Sequence, residues 1–369
     1  MAAASDCIVV GGGLIGLLTA RELAVRGLKV TVLERNAETG RESSWAGGGI
    51  LSPLYPWRYP GPVQTLVAWS QAHYPALIEQ LRSDSGIDPQ WQCCGLLQLD
   101  DGDDMAQGWL RRHGIRYQRV EPREMQYLEP RLSVTSNRPA LLLPEVAQVR
   151  NPELLKAACK AALHHGVRIE TGSVVQRLLA QAGRVTGVVT AQHTWMTSRV
   201  IIASGAWTGG LLAGLDGVQQ VIPVRGQMLL FRARPGLIRH IVLDQGHYLI
   251  PRRDGRVLVG STVEYVGFDK QTTTEAFDSL RAMALATVPA LADAVIEQHW
   301  AGLRPGSVDG VPIIGTHPGL AGLYINSGHF RNGVVMAPAS ARLLADLITG
   351  NQTIVDPRAY QPRSLEAPV

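Results

Sequence analysis

A chain of 369 residues that is 46% hydrophobic and 18% charged can bury two substantial cores and reads as an ordinary globular protein. Its net charge of +4 is small for this length, and no lysine/arginine run with interleaved aromatics appears, which argues against a nucleic-acid partner. No stretch reaches the roughly 18 uninterrupted apolar residues of a membrane span, residues 1–5 carry no signal segment, and Cys7, Cys93, Cys94 and Cys159 make no metal-type spacing. A reduced, cytoplasmic setting with no membrane contact and no metal is therefore expected.

The chain opens on its most informative stretch. Cys7 to Val10 is a short apolar run expected to form a buried parallel strand, followed by Gly11, Gly13 and Gly16 in a G-x-G-x-x-G pattern. Apolar residues then fall at helical spacing from Leu14 to Val25, and Gly27 closes that helix. Lys29 to Leu33 is a second strand, and Glu34 stands at its end, 18 positions past Gly16. A glycine fingerprint between a strand and a helix, with an acid at the end of the next strand, is the pattern of a dinucleotide site. Gly11 permits the tight turn, Gly13 lets a pyrophosphate approach the helix N-terminus, Gly16 lets helix and strand pack closely, and Glu34 can accept ribose hydroxyls.

Ser43 and Ser44, then Gly47, Gly48 and Gly49 before Ile50 and Leu51, suit a loop pressed against a second part of a large ligand. Residues 55–62 read as loop and 63–83 as an amphipathic helix; 94–99 and 140–144 read as strands, with short helices near 107–113 and 123–130. Asn151-Pro152 is expected to cap and start a helix that runs to His165, where a solvated last turn is expected rather than a metal site. Strands follow at 167–170, 172–179, 185–190 and 199–203, the last running into Ser204-Gly205-Ala206-Trp207. Residues 223–232 and 241–259 alternate, with a hairpin at Asp254-Gly255. Helices are expected at 273–288 and 289–296, a last strand at 322–326, and a closing helix from Val334 to Thr349. Trp45 and Trp207 are expected to pack beside the cofactor loops. No internal repeat is present.

The fingerprint with Glu34, the Ser43–Gly49 loop, the strand end IIASGAWTG, and the C-terminal segments WAGLRP and SGHFRNG together mark a family. Over nearly its whole length the chain resembles the FAD-dependent D-amino-acid and amine oxidases, and within them the bacterial glycine oxidases of the thiamine-synthesis type. The resemblance implies an α/β fold, with a Rossmann-like FAD-binding domain (1–85, 143–220 and 302–369) and an α+β substrate domain on a mostly antiparallel sheet (86–142 and 221–301). It implies non-covalent FAD held by Gly11, Gly13, Leu14, Ile15, Gly16, Glu34, Arg35, Ser43, Ser44, Gly47, Gly48, Gly49, Ile50, Val175 and Gly205. The turn His329, Phe330, Arg331, Asn332, Gly333, Val334 and Val335 would complete the cofactor site. Arg304 matches the family's carboxylate-binding arginine, Tyr248 its partner and Arg331 a second arginine over the same pocket, while Val263 and Ile50 fall near pocket-lining positions. The family pattern is not matched at Gly246-His247.

The implied reaction is oxidative deamination of glycine, sarcosine or small D-amino acids, with dioxygen as acceptor and hydrogen peroxide as product, feeding thiazole formation for thiamine. No protein base is assigned, His329 and His247 included, because hydride transfer to a flavin needs alignment and a neutral amine. A homotetramer is what the family suggests. The alternatives are a quinone-linked D-amino-acid dehydrogenase, a sarcosine-oxidase-like enzyme, a flavoenzyme modifying RNA, and a non-catalytic FAD-binding subunit. Covalent flavin attachment of the sarcosine-oxidase kind uses a cysteine in the C-terminal half, and none follows Cys159.

Overall fold

The computed structural model describes residues 5–100, 103–133 and 139–363; the start of the chain read as free of a signal segment lies almost entirely outside them. Two sheets organise the molecule. The first has six strands in the order Ile313–Thr316, Leu323–Ser327, Val200–Ile202, Cys7–Val10, Val30–Leu33 and Arg168–Glu170, parallel throughout except for the edge pair Ile313–Thr316 with Leu323–Ser327. Its central strands are buried along their whole length, which explains why they read as unbroken apolar runs. Helices Leu14–Val25, Gly61–Ser85, Asn151–His164 and Gly333–Thr349 cover one face, with Leu17, Leu23, Leu66, Leu81 and Leu343 fully enclosed between them. A three-stranded antiparallel sheet (Val175–Gln181, Arg184–Thr190, Thr194–Met196) covers the other face. Its first hairpin turns at Ala182 and Gly183, both at positive φ, the geometry a two-residue turn needs to match strand twist.

The second sheet has eight strands in the order Val295–Ser307, Val221–Arg232, Arg256–Gly260, His247–Pro251, Ile241–Asp244, Leu96–Gln98, Ala140–Leu143 and Gln118–Val120. All its pairs are antiparallel except Ile241–Asp244 with Leu96–Gln98. Helix Thr274–Thr287, capped by the Thr273 hydroxyl on the Ala276 N–H, packs on one face. The Asp254-Gly255 hairpin forms as expected, with Gly255 at φ +88°.

Two long helices carry an internal proline. Pro338 has no N–H to give Val334, four residues back, and the Tyr74 hydroxyl donates to that freed carbonyl at 2.5 Å. Burial raises the Tyr74 pKa, so the phenol stays protonated and able to donate. This anchors the start of the last helix to helix Gly61–Ser85.

Two expectations are corrected. Residues 289–296 are not one helix: a 3-10 turn at Pro289–Asp293 gives way to strand at Val295, which continues to Ser307. Gly302, Pro305 and Gly306 hid that strand. It pairs along its length with Val221–Arg232, and Pro305 stands opposite Pro223, so the two missing N–H donors fall on one rung. Asn151 does not cap its helix: Arg150 holds the cap position without a side-chain bond, and the Asn151 amide donates to Ser44 O at 2.7 Å. The last turn of that helix is solvated at Leu163 and His164, as expected, while His165 just beyond it bonds Asp84 at 2.9 Å beside Arg21.

Candidate active site

One long cleft runs between the two sheets, from the glycine turn at Gly11 to Arg304. At one end, strand Cys7–Val10 delivers the chain to Gly11, whose φ of +116° only glycine adopts readily. A Cβ there would lie 2.4 Å from Ala203 O, and a Cβ on Gly16 would lie 1.9 Å from Gly11 O, so both glycines are demanded by packing. Gly13 differs: a Cβ would meet only Ser44 Oγ, at 3.1 Å, because this position faces the cleft. The helix N-terminus beside it presents the Leu14 N–H, which donates to Ser44 Oγ at 3.0 Å. Glu34, 6% exposed, accepts the Gly12 and Asn36 N–H groups, one on each carboxylate oxygen. That leaves lone pairs free on a carboxylate held rigidly at the cleft wall.

Ser43–Ala46 form a single helical turn, and Gly47–Gly49 follow it along the cleft. Trp45 packs edge-to-face on Trp300, ring centroids 5.5 Å apart, and the Trp300 indole donates to Ala46 O. Across the cleft, Arg35 lays its guanidinium 3.6 Å over the Trp207 ring. Both tryptophans thus pack beside the cleft loops, as expected.

At the other end lies a half-buried cation without a counter-ion among the described residues. Arg304 sits deep in strand Val295–Ser307, and its guanidinium donates to Ser261 Oγ at 2.7 Å, Thr262 O at 3.1 Å and Arg225 O at 3.4 Å. All three acceptors are neutral, and among the described residues no carboxylate pairs with it. Burial lowers its pKa, Arg331 pushes the same way, and the Tyr248 hydroxyl opposes them. An arginine starts so high that it remains a cation at neutral pH. The fork lies over Gly226, where a Cβ would stand 2.2 Å from its nitrogens. Tyr248, 7% exposed, lies beside it against Met228, with Gly260 leaving room for its ring. Arg331, half-buried, lines the same end and makes no ion pair or hydrogen bond among the described residues.

Thus the cleft gathers Gly11, Gly13, Leu14, Ile15, Glu34, Arg35, Ser43, Ser44, Gly47–Ile50, Val175, Gly205, Tyr248, Arg304 and His329–Val334. Two expected positions are not on its wall. Gly16 joins helix to strand behind the turn, and Val335, 1% exposed, turns into the core among the helices. Val263 is 42% exposed and also lies off the cleft. Ser52, Leu54, Met228, Gly226 and Ser261 line it without having been singled out from sequence. Only the glycine could have been suspected, and only with knowledge of what crosses it.

His329 is no base. It is 2% exposed, bonded through Nε2 to Ser340 Oγ at 2.9 Å, and burial pushes its pKa down to about 3, so the ring is neutral. Gly246-His247, unmatched in the family pattern, belong to a hairpin turn with Gln245 and Gly246 at positive φ. Tyr55 holds that turn. Its hydroxyl accepts from the Gly246 N–H at 2.8 Å and donates to Asp100 at 2.8 Å. Tyr55→Phe is expected to lower stability by about 1–2 kcal/mol, since it strips a partner from a backbone N–H and from a carboxylate. Thermal melting checks this: equal melts of the two proteins would show the tie to be idle.

The residues present suit FAD: a cleft-facing glycine at a helix N-terminus, a fixed carboxylate beside it, and a long wall that ends at two arginines. The DAO family of FAD dependent oxidoreductases matches residues 6–347. A glycine oxidase of Pseudomonas aeruginosa is 48% identical over 359 residues, covering 96% of this chain and 98% of the relative. A bifunctional protein ThiO/ThiG of Synechocystis is 32% identical over 375 residues, covering 98% of this chain but 54% of the longer relative. The crystal structure of glycine oxidase from Geobacillus kaustophilus superposes with a TM-score of 0.93 at 30% identity, over 99% of this chain and 100% of that one. No helix among the described residues is long and apolar enough to cross a membrane. The chain belongs to the DAO family of FAD-dependent oxidoreductases, and FAD is its cofactor.

Proposed function

We propose that this protein oxidatively deaminates glycine, with sarcosine and small D-amino acids as further substrates, using dioxygen as acceptor and releasing hydrogen peroxide. The observation that carries this reading is Arg304: a half-buried guanidinium lining the cleft and bonded only to neutral oxygens lacks one partner, an anion. A carboxylate can take both arms of such a fork. Ser261 and the two backbone carbonyls fix the guanidinium from behind, Tyr248 lies beside it to donate to the same carboxylate, and Arg331 adds positive potential. Leu54, Ile50 and Met228 supply apolar walls that exclude water and favour a small substrate. FAD, when bound, accepts the hydride from the substrate's Cα and passes the electrons to dioxygen. The chain's contribution is to orient Cα, to exclude water and to offer no base, so the amine must arrive neutral. The imine leaves to hydrolyse to an oxoacid and ammonia, or to enter thiazole formation for thiamine.

The same reading assigns cofactor contacts to Gly11, Gly13, Leu14 and Ile15, to Glu34, Arg35, Ser43, Ser44 and Gly47–Ile50, and to Val175, Gly205 and His329–Val334. It assigns cofactor binding to segments 1–85, 143–220 and 302–369 and substrate binding to 86–142 and 221–301. We further infer non-covalent FAD and a cytoplasmic homo-oligomer, with a homotetramer the state to look for by light scattering. The deciding experiment is the visible spectrum of the purified protein, followed by addition of glycine in air. Bleaching with stoichiometric peroxide is expected. Bleaching without peroxide would move the protein to the dehydrogenases, and a yellow protein inert to every amine would end the oxidase reading.

A further inference from the structure

A further half-buried arginine stands beside the cleft and is used by nothing described so far. Arg252 follows strand His247–Pro251, four residues past Tyr248, and its backbone N–H closes the hairpin on Arg256 O at 2.8 Å. Its side chain turns inward. Nη1 donates to Gln148 Oε1 at 2.6 Å and Val149 O at 3.0 Å, and Nη2 donates to Gly48 O at 2.8 Å. The nearby carboxylate, Asp254, is engaged by Arg150 at 2.7 Å and by Arg256 at 2.9 Å. Arg252 therefore spends its charge on three neutral carbonyl oxygens.

Those oxygens belong to pieces of chain that meet nowhere in sequence. Gly48 is the middle residue of the cleft loop, and its Cα faces the hairpin so closely that a Cβ would lie 2.8 Å from Ile250 Cδ1 and 3.2 Å from the Tyr248 ring. Val149 bonds the same loop from the other side, its N–H to Gly49 O at 2.9 Å. Gln148 completes the frame, its amide donating to Pro251 O at 2.7 Å. The loop, the 147–149 segment and the Tyr248 hairpin are joined through one guanidinium. A planar fork with several donors can hold three acceptors in fixed relation, which the rotatable donors of a lysine on its flexible stem do less rigidly. A half-buried cation whose partners are all neutral gains little stability from its charge, so a role in holding geometry accounts for it better.

We propose that Arg252 is a positioning residue that clamps the Gly47–Gly49 loop to the hairpin carrying Tyr248, and so sets the separation between the cofactor wall and the carboxylate-binding pair. The proposal rests on the reading of that loop as a cofactor wall and of Tyr248 as a substrate contact. Its test uses the full-length Arg252→Lys and Arg252→Met proteins, with three readouts: FAD titration of the apoprotein followed by flavin fluorescence, kcat and KM for glycine, and thermal melting. Both variants are expected to weaken FAD binding about tenfold or more and to lower kcat by a similar factor, with lysine the milder, because misplacement of even about 1 Å is felt strongly in the reaction. If Arg252→Met does not fold, Arg252→Lys decides alone. A lower melting temperature with unchanged FAD affinity and kcat would make Arg252 a merely structural residue and overturn the proposal. The FAD titration needs no substrate: failure of the unmutated protein to oxidise glycine strikes the functional reading, whereas an unshifted FAD constant strikes this one.

Discussion

Replacing Arg304 with alanine is expected to raise the KM for glycine by about 100- to 10,000-fold while the protein stays yellow and folded. The magnitude follows from the bonds removed. Two charge-assisted hydrogen bonds to a carboxylate are worth about 1.5–3 kcal/mol each, and every 1.4 kcal/mol is tenfold in affinity. The yellow colour should persist because the guanidinium's own bonds run to Ser261, Thr262 and Arg225, on the sheet of the cleft's far end, and to no part of the glycine turn. Stability should change little or rise. The substitution removes a desolvated cation whose partners are neutral, so no buried charge is orphaned by its loss. Arg304→Lys should fall between, since an ammonium cannot grip both carboxylate oxygens. Stopped-flow reduction under substrate titration separates binding from chemistry, and an unchanged KM in the alanine variant would remove Arg304 from the pocket.

How much of this could be read from sequence depends on how local each signal is. The glycine turn was legible because its pattern is confined to one strand, one turn and one helix, even though the atoms that exclude a side chain from Gly11 belong to distant Ala203 and only Gly16 answers to a neighbour within the turn. Helix Gly61–Ser85 and the Asp254-Gly255 hairpin were legible for the same reason. Strand Val295–Ser307 was not: its glycines and proline argue against a strand, and only pairing with Val221–Arg232, about 70 residues earlier, overrides them. The site divides likewise. Arg304 and Tyr248 came from resemblance, but what makes Arg304 a binding group is the company it keeps. Ser261 with Thr262, and the space above Gly226, come from two separate stretches of chain. Asn151 shows the opposite failure, a good local capping signal outbid by a tertiary partner, Ser44 O. Arg252 sends no sequence signal at all, because an arginine beside a hairpin turn is by default a solvated one.

The glycine turn yields the sharpest separation of fold from ligand. Gly13→Val is expected to give a protein that folds and stays colourless, whereas Gly16→Val should not fold. At Gly13 the backbone is extended, with φ −75° and ψ 178°, which valine adopts freely, and the only atom near its Cβ is the Ser44 hydroxyl, able to rotate away. The added methyls would stand over the Leu14 N–H at the helix N-terminus, where an anionic group otherwise gains from the free N–H groups and the helix dipole. Screening that position should weaken FAD binding by about 100-fold or more, roughly 3 kcal/mol. At Gly16 the added atom would lie 1.9 Å from Gly11 O, a backbone atom that cannot move unless the helix lifts from the central strand. That displacement breaks contacts of Leu17 and Val9 in a core packed too tightly to absorb it, and insoluble protein is expected. Circular dichroism and melting of Gly13→Val apoprotein, with an FAD titration beside them, check both halves. A valine variant that binds FAD like the parent would put the pyrophosphate somewhere other than this turn.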